Sequence, residues 1–140
     1  DGIRHPQRGQ LVLGPGSGWT VNQINPPIGC GNVATIQTRS GSEGSERATV
    51  STTGTTGPDA TTVTFTPTGW TTASCSANPI AQVNVGSSVL NAAQERPLEI
   101  RVTASGGMRL CAPWVGDASD LNPPASAANW RLPAGDPRRC

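Results

Sequence analysis

The chain has no Lys, one His, one Met and only four Glu in 140 residues, and each shortage removes a class of answer. Strong helix formers are scarce, so long helices are not expected. Nucleophile–base catalysis normally needs a His, and His5 stands in a polar N-terminal stretch that reads as solvated. The four cysteines form no CxxC pair, and with one His there is no zinc spacing. No apolar run reaches the roughly 18 residues that mark a membrane helix, and no signal peptide is present. Asp1 is not an initiator Met, and an export signal or membrane anchor upstream of it is expected. Charge is also short, at 14% of residues with a net of +1. Little self-repulsion therefore opposes collapse, and a chain with 17 Gly and 13 Pro still reads as folded.

What is present favours strands. Thr and Val are abundant, and β-branched residues suit a pleated, half-buried surface. The length fits one domain, residues 1–140. Cys30, Cys75, Cys111 and Cys140 are an even set in a small Thr/Ser/Gly-rich chain, which reads as two disulfides and an oxidising compartment. Three pairings are open at this point.

Strand candidates alternate with turn signals. Residues 1–10 are polar, contain Pro6, and read as the last turn of a helix plus its exit. Leu11 to Leu13 is a short strand candidate, ended by the glycine-rich run 14–18. Trp19 to Ile24 and Val33 to Thr38 are the next, and Arg39 to Arg47 is a loop. Ala48 to Ser51 is a brief strand, followed by a turn region over 52–60. Thr61 to Thr66 alternates with Val63 and Phe65 on one side. In Ile80 to Val85, Ile80, Gln82 and Asn84 oppose Ala81, Val83 and Val85. In Pro97 to Thr103, Leu98, Ile100 and Val102 point in and Glu99, Arg101 and Thr103 out. Ser105 to Gly107 is a hairpin turn, and Met108 to Cys111 returns as partner strand. Trp19 and Trp70 sit by strands and read as core. The result is seven or eight short strands, an all-β sandwich or meander. Residues 112–140 lack periodicity.

Catalytic and metal constellations are thin. Glu43 and Glu46 lie in a glycine-rich loop that positions nothing firmly, so a glycosidase-type carboxylate pair is a poor reading. Asp117, Asp120 and Asn122 lack the spacing of a calcium loop. No cofactor, metal or enzymatic activity is expected.

The C-terminal third resembles a known family. Arg96-Pro97-Leu98-Glu99-Ile100-Arg101-Val102, then Ser105-Gly106-Gly107-Met108-Arg109-Leu110-Cys111-Ala112-Pro113, and finally Asp136-Pro137-Arg138-Arg139-Cys140 are similar to the end of FimT/FimU-type minor pilins, which belong with the GspH-type pseudopilins. There a hairpin of the form S-x-G-R-x-R-x-C-x-P is followed by a tail ending D-P-R-x-C. Gly18 to Val21 resembles the family's G-W-x-V strand, and Val63 to Gly69 its V-T-F-x-x-x-G strand and turn.

The resemblance implies a mainly β head of two packed antiparallel sheets, α+β in the full-length protein, carrying the end of an N-terminal helix and a disulfide-pinned C-terminal loop. It implies a subunit of type IV pilus assembly or tip priming, with the type II secretion pseudopilus as near relation. Its partners would be other minor and major pilins, and the membrane through an N-terminal helix. It would sit in the inner membrane or periplasm, then in the extracellular pilus. Members proposed to bind DNA carry a G-R-x-R pair, whereas this chain has Gly106-Gly107-Met108-Arg109, so only the second Arg stands. A DNA or partner surface would draw on Arg109, Arg131, Arg138 and Arg139, with Trp114 and Trp130 able to stack on bases. An unrelated secreted β-sandwich that binds carbohydrate or inhibits a partner is the remaining alternative.

We expect the pairs Cys30–Cys75 and Cys111–Cys140, each closing a loop of about 30–45 residues and adding roughly 3–4 kcal/mol by restricting the unfolded chain. Non-reducing peptide mapping checks this: both pairs should appear as linked peptides, and a Cys75–Cys111 link would contradict both.

Overall fold

A computed structural model describes residues 7–25, 30–90 and 98–111. Among them are nine strands and no α-helix: β1 (Arg8–Leu13), β2 (Trp19–Ile24), β3 (Asn32–Arg39), β4 (Ala48–Gly54), β5 (Thr62–Phe65), β6 (Thr71–Thr72), β7 (Ile80–Ser87), β8 (Leu98–Val102) and β9 (Met108–Cys111). They form two antiparallel sheets, one ordered β3-β2-β1-β5-β6 and the other β4-β7-β8-β9. The mainly β, two-sheet expectation therefore holds. The expected helix end falls partly on residues 1–6, outside the described residues. Arg8, Gly9 and Gln10 belong to β1, not to a helix exit.

Register explains why polar Arg8–Gln10 extend β1. Gln10 sits opposite Asn22 on one side and Thr64 on the other, and its Nε2 donates to Thr64 Oγ1 at 3.2 Å. Both are buried, and so is Ile24 on the same outer face. The amide's hydrogen bond offsets much of the cost of burying it. The first sheet is thus shielded on both faces at its centre, where the sequence pattern promised one.

The inner faces meet at Ala60, Val63 and Ile80, with Leu11, Leu13, Phe65, Val83 and Val102 packed against them. Ile80 overturns the simple alternation. Thr53 pairs with Gln82 but Gly54 with Ile80, so Ala81 is an extra residue in a bulge. A bulge shifts the side-chain parity by one. Ile80 consequently turns inward with Val83 instead of siding with Gln82 and Asn84.

Trp70, expected in the core, is 59% exposed in the β5–β6 turn. Its backbone is held there, its N–H donating to Thr66 Oγ1 and its carbonyl accepting from the Thr66 N–H. Trp19 is half-buried on the inner side of β2. The 39–47 loop contains a 3-10 turn, Gly41–Glu43, closed by a capping box between Ser40 and Glu43. Gly106 has φ +78°, and a Cβ there would meet the Gly69 carbonyl oxygen at 1.7 Å. Glycine is therefore required where the β8–β9 turn touches the β5–β6 turn.

Cys30, after β2, bridges Cys75 in the crossover from β6 to β7, with Cα atoms 5.3 Å apart. Cys75 holds φ +72°, a left-handed conformation unusual for a residue with a Cβ. No described cysteine is a free thiol. Cys111 is buried, and its expected partner, Cys140, lies outside the described residues.

The sheet edges among the described residues are blunted. β3 is eight residues long and exposed throughout, but it opposes six residues of β2, with Ile36 and Val33 left over as bulges. β6 has two residues and β9 has four. β4 gives its Thr52 carbonyl to the Asp59 N–H. Bulges and short strands discourage edge-to-edge pairing.

Ile80→Ala should cost about 2–5 kcal/mol in urea unfolding, as expected for a truncated core side chain. Ile36→Ser, on the exposed bulge, should stay within about 0.5 kcal/mol. Equal effects would contradict the assigned core.

Candidate functional site

Antiparallel register decides what the β8–β9 hairpin can present. Glu99 opposes Cys111, Ile100 opposes Leu110, Arg101 opposes Arg109 and Val102 opposes Met108. On the other side of β8, Gln82 faces Arg101 and Asn84 faces Glu99. One face of this sheet therefore carries Gln82, Asn84, Glu99, Arg101, Arg109 and Cys111. The opposite face carries Leu98, Ile100, Val102, Met108 and Leu110.

The polar face is built around a buried carboxylate. Glu99 is 4% exposed and pairs with half-exposed Arg101 through Nε. Gln82 Nε2 donates to Asn84 Oδ1 at 2.9 Å beside it. Glu99 does point outward as alternation requires, yet it is buried, while inward-reading Leu98 is 44% exposed. Charge pairing is what makes the burial tolerable. Arg101 and Arg109 stand directly opposite, a like-charge placement that disfavours the sheet unless an anion lies nearby. Glu99 is that anion for Arg101, and Arg109 already has an interaction within the protein.

The hairpin's other face is apolar and open. Met108 is 69% and Leu110 61% exposed. Sequence reasoning read Met108 to Cys111 as a partner strand without noting its unprotected apolar side. The signal was present: Met108 and Leu110 alternate with Arg109 just after the turn, and the register sets them opposite Val102 and Ile100 on the apolar face.

Of the sequence-predicted site residues, the structure brings Arg109 beside Arg101 and Cys111 beside Glu99. Arg131, Arg138, Arg139, Trp114, Trp130 and Cys140 lie outside the described residues, as do His5, Asp117 and Asp120. Glu43 caps the 3-10 turn, its Oε2 accepting from the Ser40 N–H, so this carboxylate has a structural task. Among the described residues no group of His, Cys, Asp and Glu is placed to hold a metal ion, and no helix is long and apolar enough to cross a membrane. Comparison with family models, curated proteins and solved structures finds no match.

The pairing of unequal exposure gives an asymmetric expectation. Arg101→Ala should cost about 1–3 kcal/mol, because it strands a buried carboxylate. Glu99→Gln should cost less, since half-exposed Arg101 turns to water. The double variant should recover part of the Arg101→Ala loss in urea unfolding. Additive single effects would contradict the pairing.

Proposed function

We propose that this chain is the head of a minor pilin that acts, without catalysis, in assembly or tip priming of a type IV pilus. The β8–β9 hairpin carries this reading. It holds Arg109-Leu110-Cys111, the most specific residues of the resemblance, and it leaves Met108 and Leu110 uncovered at the end of a sheet. A contiguous exposed apolar strip is a surface suited to a neighbour. The blunted edges support docking through side chains rather than through added strands. The disulfide Cys30–Cys75 suits an oxidising compartment, which is where such a head would work. The neighbours under this reading are other minor and major pilins, with an apolar helix upstream of residue 1 anchoring the subunit before assembly.

Leu110→Glu should leave the isolated head's stability within about 0.5 kcal/mol, as for other exposed sites. In cells it should reduce surface pili several-fold. Unchanged piliation, or a reading frame with no apolar helix of about 20 residues upstream, would contradict the proposal.

A second reading, a DNA-capturing pilin, is favoured by the direct cross-strand placement of Arg101 and Arg109. Glu99 neutralises one of the two, so few phosphate contacts remain and binding would be weak and salt-sensitive. Gel-shift titration at low salt should then weaken on Arg109→Ala and Arg138→Ala. No shift, or one unchanged by both, removes this reading.

A further inference from the structure

The two sheets do not close along their whole width. Where Ala60, Val63 and Ile80 meet, the sandwich is packed. Toward Trp19, Val21, Ile100 and Met108 the inner faces leave a cleft of about 370 Å³. Its walls are Leu11, Leu13, Trp19, Val21, Val63 and Phe65 from the first sheet and Ile80, Val83, Ile100, Val102 and Met108 from the second. Among the described residues that line it there is no charged side chain, and the only polar side-chain atom is the Trp19 indole nitrogen. Protein interiors normally leave few voids larger than a water molecule. Dry apolar cavities of about 150 Å³ already bind benzene, and small-molecule sites begin near 300 Å³.

We propose that this cleft is a binding site for one hydrocarbon chain, the acyl or alkyl tail of a lipid-class molecule. The lining selects the chemistry. A ligand carrying hydrogen-bonding groups along its length would lose its water and find no partner, a cost of several times the thermal energy for each group. An unbranched chain has no such groups. The mouth is marked by exposed Met108, whose flexible thioether suits a ligand of variable shape. A polar head would remain in water there. The site shares Met108 with the docking strip proposed above, but it rests on the inter-sheet geometry, so ligand binding by the isolated chain tests it apart from the pilin reading.

The test uses the full chain and the uncharged fluorophore N-phenyl-1-naphthylamine, displaced by straight-chain carboxylates from hexanoate to dodecanoate below their micelle concentrations. Saturable binding at one site is expected, with displacement tightening about fourfold per added methylene. Val21→Phe and Ile100→Phe, each filling the cleft from a different sheet and neither in the buried cluster, should weaken the fluorophore at least tenfold with circular dichroism unchanged. Ile36→Ser, on the exposed outer strand, should leave binding as it is. No saturable binding, no dependence on chain length, or binding that survives both fillings would overturn the proposal. If one filled variant does not fold, the other and the chain-length series decide.

Discussion

The contact of Val63 and Ala60 with Ile80 is the constraint on which the rest of the structure depends. It is where the two sheets close, and it is small: among the described residues few apolar side chains are fully buried. A sandwich held by so narrow a seam needs help elsewhere. The Cys30–Cys75 bridge provides it by tying the end of β2 to the crossover that feeds Ile80 into β7. The bridge restricts the unfolded chain across the segment that must return to make the seam. The Gly69–Gly106 approach fixes a second point, where the β5–β6 and β8–β9 turns meet. Between these anchors the inner faces can diverge, which produces both the cleft and the uncovered hairpin.

Much of this was legible in the sequence, and the failures share a cause. The β2 and β5 strands, the Ser105–Gly107 turn and the Cys30–Cys75 pair were all read correctly. Local alternation and glycine at a positive φ signalled the strands and the turn, whereas the even cysteine count signalled disulfides and left three pairings open. Ile80 was assigned to the wrong face because one extra residue, Ala81, reverses parity, and a bulge leaves no mark in hydropathy. Trp70 was assigned to the core on its size, but a turn position decided its exposure. Gln10 was read as part of a polar helix exit, and Glu99 as pointing outward, which it does. Each is buried because a specific partner, Thr64 or Arg101, compensates it, and partners come from register rather than from the residue itself.

The candidate site divides in the same way. Arg109 was singled out from the motif, and its neighbour Arg101 followed from a hairpin whose register the turn sets. The apolar face of that hairpin and the cleft behind it were not foreseen, because both depend on how far apart two sheets lie, which no single strand's pattern encodes. The outcome is a hairpin with two unlike faces: one charged and compensated around Glu99, the other apolar and open at Met108 and Leu110. Such a two-faced end can be held to its own chain on one side while meeting another molecule on the other.

Native-state amide hydrogen exchange tests the central claim most directly, because it reads how firmly each strand is held. If the Val63–Ala60–Ile80 seam governs stability, amides of β1, β5 and β7 should exchange slowest and only through global unfolding. Those of β3 and β9 should exchange through far cheaper local opening. Protection in β3 and β9 equal to that in β5 and β7 would contradict the account.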